Sequence, residues 1–462
     1  MPARRLPGRG PRRRPSVDLH QPPAHRVNSA RREVLLHVVY VIASYALFLV
    51  TLPVLLTHRK LRHGIGQRLG LYRRGLDLGR GAPRIWLHGA SAGDLLSLQP
   101  MMRELKRRLP GSCIIVTTIT NSGLEMARKK LSEADVVLYA PYDLFGATRR
   151  AVAALRPDLL VLEYTEIWPN LIRAARKAGV RIALTNGRFN PAKLSRYRAM
   201  FRAIRNPLRR IDCFLMRSDE EAERALALGA APDRVWVTGN TKFDALVLDG
   251  AEGREQALRA EMALDPAAPT FMAGSTHEGE EELVLGVYKG LLERHPLLQL
   301  VIAPRYVERS GKIMALAAEA GLSVRLRSGG AAAGHAQVTI LDTIGELSLA
   351  YRLATLVFVG GSFVTRGGQN VLEPAAQGKP VLFGPHMENF KDSVQVLQGR
   401  GGIQVASPEQ LLKVAEELIS RPDQLAELGT LARGSVTSIR GASARNVEHM
   451  LSILPRAKAA VA

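Results

Sequence analysis

The sequence predicts two doubly wound α/β domains in tandem behind an apolar N-terminal helix. Three observations predict this. Short apolar runs alternate with amphipathic stretches along most of the chain. The alternation breaks once, between residues 244 and 268, and then restarts. Ahead of it stands Val34 to Thr57, a segment without Asp, Glu, Lys or Arg. A chain of 462 residues exceeds what one ordinary core organises, so two domains with appendages are expected.

Residues 1–33 are rich in Arg and Pro and lack the apolar content to pack, which predicts a disordered basic tail. Residues 34–57 have the length of about 20 apolar residues that a helix needs to cross a bilayer core. No small-residue cleavage site follows them, so the segment reads as a retained anchor. A soluble core helix of this length would show a polar stripe, and this one does not. Basic residues lie on both sides, with Arg59, Lys60 and Arg62 following the segment. The charge bias therefore leaves orientation open, and a helix lying in the interface would keep both flanks on the cytoplasmic side.

Lys and Arg number 64 against 42 Asp and Glu, a formal net charge of +22. The excess points to an anionic partner: nucleic acid, an anionic membrane or a phosphorylated substrate. No nucleic-acid motif accompanies it, and part of the charge sits in the tail and the helix flanks, so nucleic acid is not expected. Cys113 and Cys213 each lie in an apolar run and read as buried thiols of a reducing compartment. No Cys/His set has zinc-ligand spacing, and no metal is expected.

The first domain is placed at residues 58–243. Its strand-like runs are 85–90, 113–120, 135–141, 158–166, 181–188, 213–218 and 234–240, with helical patterns such as 94–109 and 169–178 between them. Strand, helix, strand in repetition means a parallel sheet covered on both faces. The polar, Ala-rich stretch 244–268 is read as the linker. The second domain, 269–440, has runs at 270–276, 298–305, 338–343, 356–362, 380–385 and 402–407. Residues 441–462 are a final helix or tail, with nothing in the sequence to say what it packs against. Ligands of such sheets bind at the carboxyl ends of the strands, and two facing domains would share a cleft.

Candidate chemistry sits at those strand ends. The first run of the first domain leads into Ser91-Ala92-Gly93-Asp94. Small residues here let backbone N–H groups approach a ligand. Asp94 is then either a general base for a hydroxyl or a helix-capping aspartate. A second run ends in Glu163-Tyr164-Thr165-Glu166-Ile167-Trp168-Pro169. Its two acids are expected to act together on one side, or else to pair with Arg188 or another cation. In the second domain, Ser275 and Thr276 precede a helix start that suits a phosphate or an ordinary N-cap. Arg305 is a bidentate clamp for phosphate or carboxylate, or a solvated charge. The densest signal runs from Gly360 to Pro380 through Gly367, Gly368, Asn370 and Glu373. A carboxylate there can accept hydrogen bonds from ribose hydroxyls while glycine backbone lies against phosphate or sugar. It is not a P-loop.

Together EYTEIWPN (163–170), GNTKFD (239–244), STHEGEE (275–281), DTIGEL (342–347) and GGSFVTRGGQNVLEPAAQGKPVLFGP (360–385) resemble the Kdo (3-deoxy-D-manno-octulosonic acid) transferases of Gram-negative bacteria. The likeness runs from the apolar segment to about Val405. It implies a GT-B architecture, two Rossmann-like domains facing a cleft. It also implies inverting, cofactor-free transfer of Kdo from CMP-Kdo to the glucosamine disaccharide of a lipid A precursor, lipid IVA, at the cytoplasmic face of the inner membrane. Anionic lipids of that membrane are the expected surface partner. Under the resemblance Asp94 is the base and Ser91, Gly93, Glu163 and Glu166 surround the acceptor. Lys242, Ser275, Thr276, Arg305, Gly345, Glu346, Gly367, Gly368, Asn370 and Glu373 surround the donor. Three positions depart from the family pattern: Asp94 stands for Glu, Gln369 for His, and Tyr306 follows Pro304-Arg305 where His is usual. The alternatives are a GT-B relative using another sugar or acceptor, and a catalytically silent lipid-A-binding member.

Overall fold

The computed structural model describes residues 23–58, 62–73, 76, 78, 81–245, 252–330 and 335–454. They form two compact units. One holds the described residues up to Ala245 together with those from Arg440 onward, and the other holds those up to Ile439. Each unit is built on one parallel seven-stranded sheet.

In the first unit the strands are β1 (Arg84–His88), β2 (Cys113–Thr118), β3 (Val136–Tyr139), β4 (Leu159–Glu163), β5 (Arg181–Gly187), β6 (Cys213–Met216) and β7 (Val235–Val237). Their order across the sheet is β3-β2-β1-β4-β5-β6-β7. β2 and β4 are buried along their whole length, which is why they read as unbroken apolar runs and not as alternating ones. Helices cover both faces. Trp86, Leu160, Leu162 and Ile182 pack on one side, and Ile85, Leu87, Leu159 and Val161 on the other.

The second unit follows the same plan with β8 (Thr270–Thr276), β9 (Gln299–Pro304), β10 (Val324–Leu326), β11 (Val338–Ile340), β12 (Leu356–Val359), β13 (Val381–Phe383) and β14 (Gly402–Gln404). Their order is β10-β11-β9-β8-β12-β13-β14. β10 is absent from the sequence reading. It is a three-residue edge strand with Arg325 at its centre, so no apolar run announces it. Arg325 is buried there because its guanidinium donates to the carbonyls of Glu261 (2.9 Å) and Gly330.

In each sheet the strands are laid down first on one side of the first strand and then on the other. The first sheet reverses between β1 and β4, where His88 lies beside Leu162. The second reverses between β8 and β12, where Gly274 lies beside Val359. Helices on either side of such a point leave to opposite faces and open a crevice outside the strand ends.

Two expectations about the segments outside the sheets need correction. The first helix spans Pro23–Thr57, so residues 23–33 are helical and not part of a disordered tail. Proline tolerates the first turn, where its missing N–H has no intrahelical partner to lose. Residues 1–22 of that tail lie outside the described residues. The linker stretch carries a helix, Glu252–Glu261. Glu261 pairs with Arg327, and Glu255 lies 3.8 Å from Arg352.

The last helix, Ala442–Ile453, joins the first unit. Asp244 holds its start: Oδ1 accepts from Gly441 N and Oδ2 from Ser443 N, both at 2.6 Å. Asn446 donates to Thr185 Oγ1 at 2.7 Å, and Val447 and Met450 enter the core. An aspartate from outside the helix thus does the work of an N-cap. Asp244→Ala is expected to destabilise this unit by about 1–2 kcal/mol, the ordinary cost of a lost cap. Thermal unfolding of the full chain would read this as a lower first transition, and an unchanged transition would remove Asp244 from the role.

Candidate active site

The two switch points collect the residues that the sequence singled out. In the first unit, helix Ala92–Arg108 begins at the end of β1 with Ser91 as N-cap. Asp94 Oδ2 accepts from Ser91 N at 2.8 Å and Ser91 Oγ accepts from Asp94 N at 3.4 Å, a reciprocal capping box. The capping reading of Asp94 is therefore correct, and it does not exclude the other. Only one carboxylate oxygen is used. Oδ1 has no partner among the described residues, and the half-buried side chain stands beside exposed Gly93. The cap fixes the carboxylate and leaves one oxygen for a substrate proton.

Glu163 and Glu166 do not act side by side. β4 ends at Glu163, and Tyr164 turns the chain with φ 54°, a left-handed conformation that bulky residues hold only when their surroundings impose it. Glu163 is fully buried. Its Oε1 accepts from Ser97 Oγ (2.8 Å) and Asn186 Nδ2 (2.6 Å). It cannot touch an acceptor directly, contrary to the sequence expectation. Burial pushes its carboxyl up to about 8 against the opposing hydrogen bonds of Asn186 and Ser97, with the nearby Asp94 charge adding to the rise. At neutral pH it is largely a neutral acid. Asn186, itself at φ 50°, bonds Thr241 in both directions, and Thr241 Oγ1 donates to the Ser97 carbonyl at 2.8 Å. This network ties β4, β5, the Asp94 helix and the Gly239–Asp244 motif into one block.

Glu166 faces outward. Its Oε2 accepts from Trp168 Nε1 at 2.8 Å and lies 3.5 Å from His88 Nε2. Burial works against ionisation here, but the bonds from His88 and Trp168 outweigh it and hold the carboxyl below its ordinary range. The partner is thus His88, which the sequence reading passed over, and not exposed Arg188. Lys242, expected near the donor, belongs to this unit too: its Nζ lies 5.4 Å from the Tyr164 ring centre.

In the second unit one carboxylate organises the switch point. Glu280, fully buried, accepts from His277 N (2.9 Å), Gly361 N (2.6 Å), Ser362 N (3.0 Å) and Phe363 N (2.9 Å). Those N–H groups of the Gly-rich turn are therefore spent on the protein. The glycines serve close approach: a Cβ on Gly360 would stand 2.7 Å from Thr276 Cα, and one on Gly274 2.2 Å from the Tyr351 hydroxyl. Gly367 and Gly368 sit at φ 80° and 78°, values that only glycine adopts freely.

Around this turn Asn370 Nδ2 donates to Glu373 Oε1 at 3.0 Å, and burial pushes the Glu373 carboxyl up. Ser275 holds φ 57° where the register of β8 shifts. Thr276 is corrected: it is fully buried, its hydroxyl 3.4 Å from Glu281, and it supports the loop. Glu346 is engaged by Arg327 at 2.9 Å, with Gly345 before it at φ 93°. Arg305 is exposed and has no ion-pair partner among the described residues; Arg366, which the sequence reading did not select, is in the same position. Burial pushes the His277 ring down against the pull of Glu280, and Arg366 and Arg305 push it the same way. Two unneutralised guanidinium groups thus bear on one imidazole, which suits an anionic ligand. His277 Nε2 lies 3.3 Å from Gln369 Nε2, at one of the positions that depart from the family pattern.

Comparison with known proteins fits this arrangement. The family described as 3-deoxy-D-manno-octulosonic-acid transferase (kdotransferase) matches residues 63–245. The 3-deoxy-D-manno-octulosonic acid transferase of Bordetella pertussis is 32% identical over 79% of this chain and 86% of its own. That of Chlamydophila psittaci is 31% identical over 82% of this chain and 88% of its own. The chain belongs to the Kdo transferase family. It is a glycosyltransferase of GT-B type. Among solved structures, UDP-GlcNAc 2-epimerase from Neisseria meningitidis superposes with a TM-score of 0.56 at 16% identity, over 80% of this chain and all of that one. At that identity the likeness concerns the fold alone.

A raised carboxyl has a sign that can be tested. Glu163 takes up its proton on folding between 4.5 and about 8, so its contribution to stability falls as pH rises through that window. Glu163→Gln keeps the shape without the charge. Its melting temperature relative to wild type is expected to rise from pH 5.5 to pH 8.5. A difference constant across that range would show that Glu163 does not titrate there.

Proposed function

We propose that the protein transfers Kdo from CMP-Kdo, with inversion, to the glucosamine disaccharide of an acylated lipid A precursor such as lipid IVA. The observation that carries this reading is the position of the family motifs. Asp94 lies at the switch point of one sheet, and the Asn370–Glu373 pair with two unneutralised arginines lies at that of the other. Asp94 Oδ1 takes the proton of the attacking hydroxyl. The hydroxyl oxygen bonds to the anomeric carbon of Kdo from the face opposite CMP, and CMP leaves with the bonding pair. Glu373 receives ribose hydroxyls. Arg305 and Arg366 hold the Kdo carboxylate and the phosphate, whose charge grows as the bond breaks.

Asp94 is one methylene shorter than the family's glutamate. The capping box answers this by fixing the carboxylate, since a base need only be held within hydrogen-bond reach of its proton. We place the reaction at the cytoplasmic face of the inner membrane. The apolar stretch Leu35–Thr57, with a mean hydropathy of 2.3, anchors it there. The basic residues beside it face anionic headgroups, each charge worth about 1 kcal/mol near the surface.

Asp94→Asn keeps one cap-accepting oxygen and removes the base. In a transfer assay with CMP-Kdo and tetra-acylated precursor its kcat is expected to fall about 100- to 10,000-fold, the usual span for a lost general base. Full activity would exclude Asp94 as base. Glu373→Ala is expected to weaken CMP binding by at least ten-fold in calorimetry, and unchanged affinity would move the nucleotide elsewhere. The anomeric configuration of the product, read by NMR, tests inversion.

A further inference from the structure

The N-terminal helix is not solvated evenly. Its exposed side chains include Leu35, Val38, Val39, Ile42, Leu49, Val50 and Val54, while His37, Tyr40, Ser44, Phe48, Thr51 and Leu55 are half-buried. The half-buried set recurs every three or four residues, so it forms one face of the helix. That face meets the first unit. Tyr40 donates to Asp143 Oδ2 at 2.7 Å, Tyr45 Oη accepts from Gly146 N at 3.1 Å, and the rings of Phe48 and Tyr142 are 5.9 Å apart. Asp143 in turn accepts from Asn170 N and Leu171 N, at 3.1 and 2.8 Å, and so caps the helix Pro169–Lys177. The anchor is thereby fixed to the strand-end loops beside the β1–β4 switch point.

Between the helix and those loops runs an open groove of about 650 Å³. Tyr40, Ser44, Phe48 and Thr51 form one wall, and Tyr142 and Trp168 the other. The volume falls in the range of small-ligand sites. Glu166 also lines the groove, and its carboxylate bonds Trp168 and lies 3.5 Å from His88 at the end of β1. The wall at the other side is the helix whose outer face is apolar and uncovered. The groove therefore lies between a lipid-compatible helix and the loop that follows β4.

We propose that this groove holds one acyl chain of the acceptor lipid, so that the anchor helix both attaches the enzyme and forms half of its acceptor-binding surface. The inference rests on the reading of an acylated acceptor given above. Burial of apolar methylenes is favourable, so a chain held here would position the sugar headgroup by binding energy gained away from the reacting atoms. A phospholipid tail offers the same chemistry. The acceptor is favoured because Glu166, in the motif at the end of β4, lines the groove, so that a polar headgroup can follow the chain toward the strand ends.

The test uses the full-length protein in detergent with an acceptor carrying brominated acyl chains, which quench a nearby indole. Trp168 fluorescence, defined by difference against Trp168→Phe, is expected to be quenched by the brominated acceptor and restored by excess unlabelled acceptor. Equal quenching by brominated phosphatidylglycerol that the acceptor cannot displace would overturn the assignment, as would no quenching by either. A second arm fills the groove with Ser44→Phe and, independently, Thr51→Phe. Each is expected to raise KM for the acylated acceptor at least ten-fold and to leave kcat/KM for the deacylated disaccharide within three-fold. Sedimentation with anionic vesicles is expected to be unchanged, since both substitutions face inward. Equal loss on both acceptors, or no change on either, sinks the groove. Quenching without any transfer from CMP-Kdo by the wild type would keep the groove and sink the proposed reaction.

Discussion

A buried carboxylate holds each switch point together. In the second unit Glu280 gathers four backbone N–H groups from the β8 and β12 ends. Unpaired, each of those N–H groups would cost about 1–3 kcal/mol in so dry a place. The Gly-rich turn can then be tight, glycine-lined and still fully satisfied. In the first unit Glu163 plays the equivalent part with side chains, joining Ser97 and Asn186. The two solutions differ in their donors. Glu280 has four backbone donors, whereas Glu163 has two side-chain donors on Oε1, and its second oxygen, Oε2, has no partner among the described residues. That difference is why burial drives Glu163 toward its neutral form.

From these two centres follows a division between support and chemistry. Glu163, Thr276 and Glu280 lie under the surface and hold loops. Asp94, Glu166 and Glu373 are half-buried beside them, and Arg305 and Arg366 are exposed. Backbone strain marks the border: Tyr164, Asn186 and Ser275 all hold left-handed φ at strand ends. None is glycine, so the surrounding hydrogen bonds must stabilise each against its local preference. Charged groups held in this way need no reorganisation when charge moves during a reaction.

The chain's path adds a second constraint. The last helix belongs to the first sheet's unit, secured by Asp244 and Asn446. The motif Gly239–Asp244 thus serves three structural ends: Thr241 braces Glu163's network, Lys242 lies over Tyr164, and Asp244 caps the returning helix. A motif that looks like a ligand-binding signature is in large part a fastening.

The sequence by itself determined the fold class and the strand ends at which its motifs gather. Parallel strands buried on both faces must be apolar throughout, so they are visible as runs, and ligand loops must follow them. The Asp94, Glu163–Glu166 and Gly360–Glu373 segments were legible for that reason. What each side chain does was decided by tertiary structure. Glu163 and Glu166 belong to one short motif, yet a turn at Tyr164 buries the first fully and leaves the second half-buried beside His88. The roles of Glu280 and His88 depend on loops far away in sequence, and β10 is held by pairing with β11 instead of by its own composition. Periodicity records which face of an element is buried. It carries no information on which buried acid meets which distant N–H, because that contact is made only when the sheet order brings the two strand ends together.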